Sequence, residues 1–127
     1  LELSRRWSEE HDMARDEAIA LEYDANRELL IHFHRLDLKA IAVVKDGAVA
    51  GYSVGGKLNA DTVVIHSEKG DNAVPGVYAW LNREFLARCW QDAVYVNREE
   101  DLGIDGIRKA KLSYYPIRLV QKSRVTL

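Results

Sequence analysis

The sequence predicts a mixed α/β (α+β) domain with a mostly antiparallel central sheet flanked by helices on both faces. Three observations carry this. The hydrophobic period is helical up to about residue 36, gives way to short β-branched runs between 39 and 67, and becomes helical again after Pro75. Asp46-Gly47 stands between two of those runs, a strong two-residue hairpin signal. The chain has 127 residues, 47% of them hydrophobic, enough to build one core without disulfide or metal. A single domain over residues 1–127 is expected, as a piece of a longer protein, since the first residue is Leu1 rather than Met.

Ser8 is expected to cap a first helix, with Glu9 and Glu10 complementing its N-terminal dipole and Ala14, Ala18, Leu21 and Ala25 forming a narrow apolar stripe. Asp24 can cap a second segment, with Leu29, Leu30, Phe33 and Leu36 on one face; two helices and one bent helix both fit. His32 and His34 lie there, and on a helix that spacing turns them about 200° apart, too far to share a metal. Strands are expected at Ala40–Val44, Val49–Val54 and Thr62–His66, with turns at Asp46-Gly47 and Asn59-Ala60-Asp61, forming a three-stranded meander. Gly51, Gly55 and Gly56 suggest a bulge or a close approach by another backbone or a ligand. Glu68 to Pro75 reads as a polar loop, and Pro75 as the first turn of a helix to about Trp90, with Val77, Leu81, Phe85 and Arg88 on one side and Trp80, Glu84 and Ala87 on another. A fourth strand at Ala93–Val96, a short helix from Asp105 or Gly106 to about Ser113, and a final strand at Ile117–Leu127 complete the order.

Composition excludes several classes. Lys plus Arg number 18 against 20 Asp plus Glu, which argues against a DNA-binding domain. Cys89 is alone, so neither a disulfide framework nor a cysteine-rich zinc module is available, and a reducing, cytoplasmic compartment is the simplest setting. No apolar run approaches the ~18 residues of a membrane span. The nucleophile elbow, the P-loop, the dinucleotide-binding glycines and the His-x-x-x-His and Cys-x-x-Cys metal spacings are all missing, and no metal or bound cofactor is expected.

Charge is unevenly placed. Residues 1–30 hold nine acids against four bases, and residues 103–127 hold six bases against one acid. The basic end can serve an anionic partner, or can be the solvated edge of a sheet.

Chemistry concentrates between Asn97 and Pro116. A strand delivers Asn97, the next residues include Glu99, Glu100 and Asp101, and Arg108 and Lys111 fall three apart on one face of the short helix. Carboxylates beside cations at a strand end can recognise an ammonium group together with an ester or phosphate, or can form a salt-bridge network that fixes the loop. Glu68, two residues after His66 and so on the same strand face, is a candidate base or substrate anchor, or the partner of a neighbouring helix.

The run Asn97-x-x-x-Asp101-x-Gly103-x-x-Gly106-x-Arg108-x-x-Lys111-x-Ser113-Tyr114-x-Pro116 resembles the C-terminal motif of the phosphatidylglycerol lysyltransferase C-terminal domain family. His66-Ser67-Glu68-Lys69 and Asn82-x-Glu84-Phe85 are similar to the same family, in the same order along the chain. The resemblance implies a GNAT-like acyltransferase domain, of the N-acetyltransferase type, usually one of two tandem halves. It implies an aminoacyltransferase moving an amino acid from aminoacyl-tRNA to the hydroxyl of an anionic lipid, with tRNA, lipid and the N-terminal half of the parent protein as partners. The parent protein would place it in the cytoplasm or at the membrane surface.

By the same resemblance Glu68, Asp101 and Lys111 are the catalytic candidates, and His66, Asn97, Glu100, Arg108, Ser113 and Tyr114 the substrate-binding ones. Asp101 and Glu100 would hold the aminoacyl ammonium, and Lys111 or Arg108 the ester carbonyl or a phosphate. If Asp101 and Lys111 bind substrate, they should line an open site rather than pair with each other. Acetyl-coenzyme A is the alternative donor, of a coenzyme A-dependent N-acetyltransferase. It is the weaker one, because Glu68-Lys69-Gly70-Asp71-Asn72-Ala73-Val74-Pro75-Gly76 lacks the usual coenzyme A loop pattern, although helix N-terminal amides can still bind phosphate. The other alternative is a non-catalytic module that binds tRNA or a partner.

Overall fold

A computed structural model describes residues 1–10, 17–123, 125 and 126, the side chains of 8, 10 and 17–19 excepted. The element order is α1 (Glu2–Glu10), α2 (Glu17–Ile31), a 3-10 turn (Phe33–Arg35), β1 (Leu38–Lys45), β2 (Ala48–Lys57), β3 (Thr62–Gly70), α3 (Val77–Cys89), β4 (Tyr95–Asn97) and α4 (Asp105–Leu112). The sheet order is β1-β2-β3-β4, antiparallel except for the parallel β3–β4 pair.

The hairpin is the expected one: Lys45 pairs with Ala48, and Asp46 and Gly47 take φ of 52° and 79°, both left-handed as this tight turn requires. Side chains alternate across β2. Gly51 and Gly55 face α3, where Leu81, Val77 and Phe85 pack, while Tyr52 and Val54 face Leu3, Leu29, Leu30 and Phe33. Each sheet face therefore carries a helix layer. The α3 side is the larger core, with Val63, Ile65, Phe85 and Trp90 buried together and Cys89 packed at their margin. The glycines of β2 serve packing rather than ligand approach: a Cβ on Gly55 would lie 2.3 Å from the Val64 carbonyl oxygen.

Several sequence expectations are corrected. Ser8 lies inside α1, because Glu2 supplies the first-turn acid and Arg5 pairs with Glu2 and Glu9, extending the helix upstream. Asp24 is an exposed mid-helix residue of one continuous α2, whose Leu29 and Leu30 pack on the Leu3–Tyr52–Val54 core; burial outweighs the capping preference. The stripe through Ala14 and Ala18 lies outside the described residues. Glu68 and Lys69 belong to β3 rather than to a loop, since their pairing with Ser53 and Tyr52 continues the ladder to Gly70. Pro75 precedes the helix, which begins at Val77 behind a left-handed Gly76. The fourth strand is shifted to Tyr95–Asn97.

The final strand is absent among the described residues. Residues 117–123, 125 and 126 carry no regular structure, and Ile117 and Leu119 are 85% and 74% exposed. Their alternating pattern finds no neighbouring strand to pair with, and a strand without a partner does not form. Among the described residues no helix is long and apolar enough to cross a membrane, and no cluster of potential metal ligands occurs.

Candidate active site

The β3–β4 ladder runs only from Thr62–Tyr95 to Val64–Asn97, whereas β3 continues to Gly70. Beyond Val64 the two segments are joined by side chains instead of backbone. Arg98 Nη2 donates to Glu68 Oε1 at 2.7 Å, and His66 Nδ1 lies 3.0 Å from Glu99 Oε1. Lys111 reaches into the same place from α4 and donates to the carbonyl oxygens of Arg98 and Glu100, both at 2.5 Å.

A register break decides which side chain faces where. Ser67 pairs with Val54 but Ile65 with Gly55, leaving His66 without a partner in β2. Alternation restarts after it. Glu68 shares the face of Ser53, whose hydroxyl donates to Glu68 Oε2 at 3.2 Å, while the His66 ring lies on the side of Gly56 and Leu38. The expectation that His66 and Glu68 share a face is therefore overturned, and Arg98 and Glu99 meet them on the two sides.

Glu68 is the most deeply placed acid of the group, with a side chain only 7% exposed. Burial pushes its carboxyl above the usual glutamate range, opposed by the Arg98 charge and the Ser53 hydroxyl. Burial, together with the Arg98 charge, lowers Lys111. Two of the three ammonium protons of Lys111 are committed to carbonyls, so one remains to donate.

Asp101 binds Arg108 rather than Lys111. Arg108 Nε donates to Asp101 Oδ2 at 2.6 Å, and the backbone N–H of Gly103 donates to Asp101 Oδ1 at 2.9 Å. The Arg108 hydrogen bond, aided by that N–H, holds the Asp101 carboxyl below its ordinary range. Glu99 and Leu102 take positive φ, so the chain folds tightly around this acid. Glu100 is exposed.

The remaining candidates sit around this centre. Asn97 accepts the Glu99 N–H at 2.8 Å and so shapes the turn. The Tyr114 ring lies beneath the Arg98 guanidinium, 4.5 Å from its centroid. Ser113 donates to the Ala110 carbonyl within the end of α4. Arg98 is the residue that sequence reasoning missed. It pairs with Glu68, stacks on Tyr114, lends its carbonyl to Lys111, and keeps a buried Nε without a partner. Its position next to Asn97 in an extended segment was the available signal.

One end of the gap is closed by α1. Trp7 packs on Ile104 and Ile107, donates to the Tyr78 hydroxyl at 3.0 Å, and carries the buried Lys69 ammonium 3.5 Å from its ring centroid. Lys69 in turn pairs with Glu22 at 2.8 Å. A separate shallow groove is lined by Arg6, Lys45, Ala50, Asp71 and Val74, near the start of α3.

Comparison with known proteins agrees with this architecture. A solved structure from Bacteroides thetaiotaomicron VPI-5482, described as a conserved protein of unknown function, is 36% identical and superposes with a TM-score of 0.85. The match covers 93% of this chain and 40% of that one, so the chain spans about two-fifths of that protein's length. No curated protein matches significantly. Residues 1–126 match the family described as phosphatidylglycerol lysyltransferase, C-terminal, and the chain belongs to that family.

Proposed function

We propose that the domain is an acyltransferase-type unit of GNAT-like design that moves an aminoacyl group from aminoacyl-tRNA to the hydroxyl of phosphatidylglycerol or a related acceptor. The observation that carries this is the opened β3–β4 gap, where a buried carboxylate of raised pKa, Glu68, stands beside the cations Arg98 and Lys111. Family membership supplies the transferase class.

The chemistry asks little else. The acceptor hydroxyl oxygen attacks the ester carbonyl of the donor, and Glu68 takes the hydroxyl proton. The free N–H of Lys111 donates to the oxyanion that develops. When the ester C–O bond to the terminal ribose breaks, the departing oxygen receives the proton from Glu68, leaving the aminoacyl ester on the acceptor. Glu100, exposed at the rim, and Asp101 supply negative charge for the aminoacyl ammonium. Arg108 is engaged by Asp101 and serves to orient it.

The test is transfer of a radiolabelled amino acid from charged tRNA to phosphatidylglycerol, read as label in the lipid phase. Label that appears with the chain and is lost with Glu68→Gln supports the reading. Label transfer from acetyl-coenzyme A instead, or none from either donor, contradicts it.

A further inference from the structure

The end of the chain carries an exposed apolar surface that the candidate site does not use. Leu112, Tyr115, Ile117, Leu119, Val120 and Val125 are 47%, 89%, 85%, 74%, 61% and 83% exposed. Soluble domains seldom leave so many large apolar side chains uncovered within so short a stretch. Bases are interleaved with them: Arg118 and Lys122 are exposed, and residues 103–127 hold six bases against one acid. We propose that residues 112–123, with Val125, form a docking surface for an anionic lipid bilayer.

Three arguments select this occupant. The aliphatic side chains would gain nothing on RNA, which rewards bases and flat rings, but each gains on entering the headgroup–acyl boundary. Tyrosine favours that boundary, and Tyr115 is almost wholly exposed at the start of the segment. The positive charge complements the acidic headgroup of phosphatidylglycerol, the lipid in the description of the family that the chain matches. The position is also useful. Lys111, on α4, lies directly before this segment, so a bilayer held there would bring the lipid hydroxyl to the opened gap. In this the inference rests on the proposed lipid acceptor.

Co-sedimentation of the chain with vesicles tests it. Vesicles containing phosphatidylglycerol in phosphatidylcholine should bind the chain, phosphatidylcholine vesicles should not, and binding should fall as salt rises. Each base removed weakens such binding about fivefold, so Arg118→Gln with Lys122→Gln should lower the partition coefficient about thirtyfold. Ile117→Ser with Leu119→Ser should also release the chain, and these exposed positions leave folding intact. Arg27→Gln with Arg83→Gln, which removes equal charge elsewhere, should not. Equal loss in that control, binding to neutral vesicles alone, or a dimer formed through the same residues in place of vesicle binding would overturn the docking surface. Transfer to monomeric short-chain phosphatidylglycerol without vesicle binding would overturn the surface and leave the reaction standing. Vesicle binding without transfer would support the surface and overturn the reaction.

Discussion

Arg98 and Glu68 form an ion pair across the place where the β3–β4 ladder ends, 2.7 Å apart and with the carboxylate nearly buried. Side-chain electrostatics takes over where backbone hydrogen bonding stops. Arg98→Ala leaves Glu68 buried without its cation and should destabilise the fold by about 3–5 kcal/mol, read by urea denaturation at neutral pH. The loss should shrink as pH falls toward 4.5, because burial raises the Glu68 pKa and the carboxyl protonates on the way.

Glu68 links stability and activity to pH in opposite senses. Burial raises its folded pKa above the ordinary 4.5, so the fold favours the neutral form. That contribution is complete below 4.5 and is lost as pH rises through the raised value. Activity needs the ionised base and should rise over the same interval. Glu68→Gln should flatten the stability titration in that interval and abolish the transfer reaction, as paired denaturation and pH–rate measurements would report.

Asp101 and Lys111 occupy different settings and should respond differently. Asp101→Asn loosens a surface contact to Arg108 and should leave the melting temperature almost unchanged while transfer falls at least tenfold. Lys111→Ala deprives the carbonyls of Arg98 and Glu100 of a shared donor and should cost about 1–3 kcal/mol as well as activity. Equal stability loss in both variants would place Asp101 in the scaffold.

Two glycines give opposite expectations. Gly55→Ala drives a Cβ to 2.3 Å from the Val64 carbonyl oxygen and should destabilise by about 1–3 kcal/mol or more. Gly106, in the first turn of α4, has open space around it and no left-handed φ, so Gly106→Ala should stabilise by about 0.4–1 kcal/mol. Chemical denaturation of the two variants beside the parent chain checks both.

Coenzyme A is distinguished from the aminoacyl donor by thermal shift. A ligand at a hundred times its Kd adds about 2.7 kcal/mol, a clear rise in Tm for a domain of this size. Acetyl-coenzyme A should give none, and a concentration-dependent rise would favour the N-acetyltransferase reading.

The meander, the hairpin at Asp46-Gly47, the amphipathic α3 and the short α4 were legible because each rests on local turn chemistry or on a period of burial. The glycines of β2 announced the bulge, which falls at Gly55, but not that it leaves His66 on the facing strand unpaired and so moves Glu68 to the face opposite His66. The partners of Asp101 and Lys111 were not legible: Asp101 took Arg108, and Lys111 took the backbone carbonyls of Arg98 and Glu100. The strand expected at Ile117–Leu127 failed for a different reason. Alternation specifies a face, but only a neighbouring strand supplies hydrogen bonds, and none lies beside it among the described residues.

The central claim is that the gap between β3 and the segment after β4 receives the aminoacyl end of the donor. Nuclear magnetic resonance titration with a non-hydrolysable aminoacyl-adenosine amide tests it most directly. The account predicts amide shifts concentrated at Glu68, Arg98, Glu100, Asp101 and Lys111, lost in Glu68→Gln and Lys111→Ala variants that remain folded. Shifts concentrated instead around Arg6, Lys45 and Asp71, or no shifts at millimolar analogue, would contradict it.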